Sequence, residues 1–128
     1  MPKPLRRNAT RPTRYGALYF GSTAPAMHEA IAALEAERID LNLMRVRAFP
    51  FSDEVINFVH DHDQVFLIEQ NRDAQLRTLL IGEGALDPAR LISVLHYDGT
   101  PITARFIVDE ITRRWAVLNG KTSREAAE

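Results

Sequence analysis

The chain contains no cysteine. That absence excludes disulfides, thiolate zinc sites and cysteine-ligated iron–sulfur clusters within it, and it fits a reducing compartment. No apolar run approaches the ~20 residues needed to span a bilayer. The basic start, Met1-Pro2-Lys3-Pro4-Leu5-Arg6-Arg7, has no apolar stretch behind it and so does not read as a secretory signal. Neither sign of charge dominates: 16 Lys and Arg face 17 Asp and Glu, a formal net charge of −1. Nothing electrostatic therefore calls for nucleic acid or an anionic membrane as partner, and a cytoplasmic location is the default expectation. With only 6 glycines, the chain has neither a P-loop nor a dinucleotide fingerprint. It also lacks the G-x-S-x-G elbow of serine hydrolases.

What is present suits one globular domain. The 128 residues are 45% apolar and 26% charged, ordinary values for a chain that buries roughly two-thirds of its unfolded surface. Residues 1–14 hold three prolines and five basic side chains and read as an extended arm or linker with little regular structure of its own. Residues 119–128 are small or charged and read as a flexible tail. The domain proper is expected over 15–118.

Within it the hydrophobic period alternates. Tyr15 to Phe20 is a short aromatic-rich run closed by Gly21, the pattern of a strand. Ser22-Thr23-Ala24-Pro25 pairs hydroxyls with an early proline, a helix start, and Met27, Ile31 and Leu34 follow at helical spacing. Leu41 to Val46 is a second strand. Ser52-Asp53-Glu54 opens a second helix with a cap and two acids at the positive dipole end, and Val55, Ile56, Phe58 and Val59 supply its buried side. Gln64 to Ile68 is almost unbroken apolar, as suits a central parallel strand covered on both faces. A third helix is expected from about Asp73 with Gly82 and Gly84 ending it. Asp87-Pro88 predicts one short turn, Leu91 to Leu95 a fourth strand, and Thr100-Pro101 the start of a last helix carrying Phe106, Ile107, Ile111 and Trp115 inward. This strand–helix alternation predicts an α/β domain: three αβα layers around a mostly parallel sheet of four to five strands.

In such sheets functional groups gather where strand carboxyl ends meet helix amino ends. Four loops qualify. Gly21 to Pro25, with Ser22 and Thr23, offers free N–H groups to an anion or simply caps a helix. Arg47 follows the second strand. Glu69, Gln70, Asn71 and Arg72 follow the most apolar strand, either as a contact surface or with Asp73 capping the helix and Glu69 pairing with Arg72 or Arg47. His96, Tyr97 and Asp98 have the residue types of a site, yet Asp98-Gly99 also makes a turn. His60-Asp61-His62-Asp63 invites a metal reading, but positions two apart do not share a helix face, and a histidine near a helix C-terminus is favourable on dipole grounds alone. No metal site is expected.

Four segments carry a resemblance to a known family: Tyr-Gly-Ala-Leu-Tyr-Phe-Gly-Ser-Thr at 15–23, Leu-Met-Arg-Val-Arg-Ala-Phe-Pro-Phe at 43–51, Val-Phe-Leu-Ile-Glu-Gln-Asn-Arg-Asp-Ala-Gln-Leu at 65–76 and His-Tyr-Asp-Gly-Thr-Pro-Ile-Thr-Ala-Arg-Phe at 96–106. Together they resemble the C-terminal, transketolase C-terminal-like domain of the α subunit of 2-oxoacid:ferredoxin oxidoreductases, most of all the 2-oxoglutarate type. The third segment departs from the pattern at Ala74, where many members have glycine. The resemblance implies a parent reaction, the oxidative decarboxylation of a 2-oxoacid to an acyl-CoA. It also implies parent cofactors: thiamine diphosphate, magnesium, an iron–sulfur cluster and coenzyme A. Its partners would be the remaining domains of the α subunit and the β subunit, with ferredoxin reached only through the complex. It further implies that any antiparallel edge strand must come from the first 14 residues.

The chain has no Gly-Asp-Gly with a downstream asparagine, the thiamine diphosphate–magnesium motif, so no cofactor is expected on it and no catalytic residue is assigned. The expectation is a non-catalytic interface domain, whether a fragment or separately encoded, with Arg47, Glu69, Gln70, Asn71, Tyr97 and Asp98 facing neighbours. Two rivals stand beside it: a free-standing small-anion-binding module at Gly21 to Pro25, and a small enzyme using His96 with Glu69 or Asp98.

Overall fold

The computed structural model describes residues 5–20, 23–46, 53–70, 75–84, 86–97 and 100–119. Five strands, β1 (Leu5–Arg7), β2 (Tyr15–Phe20), β3 (Asn42–Val46), β4 (Gln64–Glu69) and β5 (Leu91–Leu95), alternate from β2 onward with helices α1 (Ala24–Ala36), α2 (Asp53–His60), α3 (Gln75–Gly84) and α4 (Ala104–Leu118). The sheet order is β1-β3-β2-β4-β5. β2 pairs in parallel with β3 and β4, β4 in parallel with β5, and β1 runs antiparallel along β3. The mostly parallel α/β layering is therefore as expected. The antiparallel edge strand does come from the N-terminal arm, so Leu5–Arg7 has regular structure that the arm's composition did not suggest.

Alternation along the strands divides the core in two. Ala17, Tyr19, Leu43, Phe66, Ile68 and Val94 face α1 and α4, packing against Met27, Ile31, Leu34, Ile107 and Ile111. Leu18, Met44, Val46, Val65, Leu67 and Leu91 point the other way, onto Val55, Phe58 and Val59 of α2 and Leu76 and Leu80 of α3. A strand covered on both faces has no polar position to spare, which is why β4 reads as an apolar run.

Some boundaries differ from the sequence expectation. Gly82 lies inside α3 rather than after it, because an added side chain there would meet only open space and nothing in the packing forces a stop. α4 begins at Ala104, three residues past the Thr100-Pro101 signal, since Thr103 accepts the Phe106 N–H at 3.1 Å and is the effective cap. Asp87 does cap its short turn, accepting from Ala89 N at 3.0 Å. α1 closes with Ile39 N–H on the Leu34 carbonyl at 2.9 Å and Arg38 N–H on that of Glu35 at 3.0 Å. This Schellman arrangement puts Arg38 at a φ of 61°. The expected Ser52 cap, the Asp73 start and the Asp98-Gly99 turn lie outside the described residues, as do residues 120–128 of the tail.

His62 ties the arm to the sheet. It is 2% exposed. Its Nδ1–H donates to the Phe58 carbonyl at 2.5 Å, which leaves Nε2 to accept from Asn42 Nδ2 at 3.0 Å. Asn42 Oδ1 in turn accepts the Ala9 N–H at 2.9 Å. Only the neutral ring satisfies this chain. The dipole argument for a charged His62 is therefore overturned: burial lowers its proton affinity, outweighing the Phe58 carbonyl, which raises it. His60, Asp61 and Asp63 are exposed, and Asp61 and Asp63 pair with Arg6 at 3.7 Å and Arg14 at 3.1 Å. Among the described residues no group of three or more His, Asp or Glu side chains is arranged to hold a metal.

Two predictions follow from this packing. A Cβ on Gly16 would fall 2.9 Å from two atoms of the Phe58 ring, and that ring is fully buried. Gly16→Ala should therefore lower stability by about 1–3 kcal/mol in urea melts, and Phe58→Leu in the same chain should recover part of the loss. For His62, the unfolded chain takes up a proton near the ordinary histidine value of about 6.5, while the folded chain resists until lower pH. The unfolded state thus binds more protons, and stability falls as pH drops from about 7.5 to 5.5. In His62→Gln the melting midpoint should vary less across that window than in the parent chain.

Candidate functional site

The order β1-β3-β2-β4-β5 sets the topological switch point between β2 and β4. The chain leaves β2 through α1 toward β3 on one side, and leaves β4 through α3 toward β5 on the other. The two connections thus run apart from the carboxyl ends of this strand pair, the position at which doubly wound sheets bind ligands.

Three side chains reach this position among the described residues. Thr23, 2% exposed, sits at the N-cap position of α1 but makes no side-chain cap bond. Its hydroxyl accepts from Gln70 Nε2 at 3.1 Å instead. Glu69, 3% exposed, turns its carboxylate onto α3, where Oε1 accepts the Leu76 N–H at 2.7 Å. A carboxylate at a helix amino end satisfies an orphan donor and meets the positive end of the dipole. Glu69 is therefore a surrogate cap, six residues before the helix it caps. Its main-chain carbonyl accepts from His96 N–H at 2.9 Å, which fastens the end of β5 to the end of β4.

The remaining site residues fall around this knot. The His96 ring packs edge-on against Phe106 with centroids 4.8 Å apart, so its described contacts to Glu69 run through the main chain. Tyr97 is 63% exposed. Ser22, Arg47, Asn71, Arg72 and Asp98 lie outside the described residues. Arg45 is on β3, one strand in from the margin of the sheet. It lies in β3 between Tyr19 of β2 and Leu5 of β1, half-buried, where it partly offsets the rise that burial imposes on the Tyr19 phenol.

A second concavity escaped the sequence reading. An open groove of about 640 Å³ runs along β5, lined by Ile92, Ser93, Leu95 and Tyr97, with Arg77 from α3 and Phe106, Glu110 and Arg114 from α4. The signal was available in Leu-Ile-Ser-Val-Leu, an uncharged strand that ends the alternation and so falls at the margin of the sheet.

Several solved chains share this fold, among them two oxidoreductase chains. A 2-oxoglutarate:ferredoxin oxidoreductase from Magnetococcus marinus, solved with 2-oxoglutarate, coenzyme A and succinyl-CoA bound, matches with a TM-score of 0.76 at 21% identity, over 88% of this chain and 20% of that one. The alpha chain of a probable 2-oxoacid ferredoxin oxidoreductase from Thermoplasma acidophilum matches with a TM-score of 0.57 at 23% identity, over 88% of this chain and 96% of that one. At such identities the likeness is one of fold. The chain spans a fifth of the length of the Magnetococcus protein, the proportion of a single domain. Both neighbours carry the family name that the four sequence segments suggested. No family model matches the chain, and neither does any curated protein.

The Glu69 geometry changes what its removal should do. Glu69→Ala strands a buried N–H of α3 and should cost about 1–3 kcal/mol of stability in the isolated domain, measured by urea unfolding. Glu69→Gln keeps an acceptor and should cost less. Equal, negligible losses for both would show that the cap is not felt.

Proposed function

We propose that this chain is a non-catalytic assembly domain of a thiamine-diphosphate-dependent 2-oxoacid:ferredoxin oxidoreductase of the 2-oxoglutarate type, docking its carboxyl-end rim onto the other α domains and the β subunit. The observation that supports this reading is that the described polar side chains at the switch point, Thr23, Glu69 and Gln70, bond within the domain. Gln70 on Thr23 and Glu69 on Leu76 engage, with one another and with α3, polar groups that a ligand site would present. These bonds tie the end of β4 to the starts of α1 and α3, and groups held on regular elements make a firm docking surface. The fold shared with two oxidoreductases of this name supports the identity of the assembly.

The parent cofactors would sit on other parts of the assembly. A magnesium-bound diphosphate needs convergent oxygen donors. Among the described residues no such cluster forms, and Glu69 Oε1 already accepts a helix N–H. With no cysteine, the chain ligates no iron–sulfur cluster through thiolates. In this reading no step of the decarboxylation is routed through its side chains. Its contribution is positional, holding the catalytic domains in register so that electrons leave toward ferredoxin. No described helix is long and apolar enough to cross a membrane.

Co-expression tests this. The tagged chain should co-elute with the thiamine-binding α domains and the β subunit. Tyr97→Ala should reduce the recovered complex about tenfold, the effect of losing one aromatic interface anchor, while the melting midpoint of the isolated domain stays unchanged. Failure to co-elute would sink the proposal. So would conversion of 2-oxoglutarate and coenzyme A by the isolated chain. A thermal shift with inorganic phosphate or coenzyme A in the absence of any partner would favour the small-anion module.

A further inference from the structure

The two margins of the sheet are built differently. β1 is three residues long and carries Arg6 and Arg7, a short, charged edge of the kind that resists pairing with other chains. β5 is Leu-Ile-Ser-Val-Leu, without charge, proline or bulge. Its hydrogen-bonding parity follows from two contacts. His96 N–H faces β4, on the Glu69 carbonyl, so Val94 and Ile92 face β4 as well. The main-chain groups of Leu91, Ser93 and Leu95 then point outward. The Leu91 carbonyl is met from that side by Arg77 Nε at 3.3 Å. Ser93 and Leu95 lie along the groove.

The surroundings of this edge supply the rest of a strand-binding site. Tyr97, 63% exposed, stands at one end and Val117, 70% exposed, at the other, the latter beside Ile92 and Leu118. Arg77, Arg113 and Arg114 border the groove against a single carboxylate, Glu110. Arg113 and Arg114 share that carboxylate at 2.7 and 3.7 Å. Two buried polar atoms, Ser93 Oγ and Arg114 Nε, have no hydrogen-bond partner, although buried polar groups normally find one. The excess of positive charge argues against a second copy of the same edge, which would bring like charge to like.

We propose that β5 receives an extended segment of another polypeptide as a sixth strand, one that alternates apolar side chains with carboxylates. Its main chain pairs with Ser93 and Leu95, its apolar residues cover Leu95 on the α3 face, and its carboxylates meet Arg114 and Arg113 on the α4 face. The inference concerns a sheet margin rather than the carboxyl-end rim, and it stands whether or not the assembly reading above does.

The test uses the full chain and two short fluorescent peptides, one alternating valine with glutamate and one alternating valine with lysine. The glutamate peptide should bind at least about tenfold more tightly than the lysine peptide by fluorescence anisotropy. In amide hydrogen exchange, its addition should protect Ser93 and Leu95 and leave Ile92 and Val94 unchanged. Ser93→Pro removes an outward N–H and no bond to β4, a substitution edge strands accept, and it should abolish binding while far-UV circular dichroism is retained. Should that variant unfold, Arg113→Glu with Arg114→Glu decides the matter by reversing the peptide preference. No binding, equal binding of both peptides, or unchanged binding by a folded Ser93→Pro would overturn the proposal. Self-association of the chain through β5 that excludes the peptide would overturn it too, and would assign the edge to a second copy.

Discussion

The interaction on which the rest depends is the dry contact between both faces of β2 and β4 and the four helices that cover them. Leu18 and Leu67 point to one layer, Ala17, Phe66 and Ile68 to the other, and all are fully buried. A parallel pair enclosed in this way cannot place a polar side chain until it ends. Chemistry is thereby pushed to the carboxyl ends. The first polar groups to appear there, Glu69 and Gln70, emerge within a residue of the core and find partners at once. The same constraint acts at the amino ends. Gly16 stays bare because the Phe58 ring fills its space, and His62, packed against that ring at 4.4 Å, must remain neutral to be buried.

Strand positions and layer assignment were legible from period and composition because they reflect how many faces each segment buries. Met27, Ile31 and Leu34 on α1 and Val55, Phe58 and Val59 on α2 fell where spacing put them. What stayed hidden were choices made over distance. Thr23 looks like a local cap by every nearby signal, yet its partner is 47 residues away. Glu69 looks like a presented carboxylate, yet it caps a helix from outside it. Nothing within a few residues of either position encodes those partners. At Thr100-Pro101 two good start signals competed within one loop, and the later hydroxyl, Thr103, had the geometry to close on Phe106. β1 was invisible to composition because a strand with one neighbour and exposed side chains needs no apolar pattern. It was expected only through the family likeness.

The two sheet margins differ in length and charge. β1 closes its side with charge and brevity. β5 ends its side with the vocabulary of an interior strand, and the exposed Tyr97 and Val117 stand at its two ends, while Leu5 is exposed on β1. That asymmetry is difficult to explain for an isolated globule, which would bury or blunt both sides alike.

The antiparallel course of β1 has a consequence for how the domain would be wired. Leu5 lies opposite Arg45 and Arg7 opposite Leu43, so the polypeptide enters beside the carboxyl end of β3, at the same pole as Thr23, Glu69 and His96. α4 finishes at the other pole, where Trp115 and Asn119 adjoin Thr13 and Tyr15. Leu5 thus lies at the pole of the loop cluster and Leu118 at the opposite one. A short tether at the loop-cluster pole gives an attached neighbour a local concentration on the order of millimolar, enough to keep a weak contact closed without a large interface.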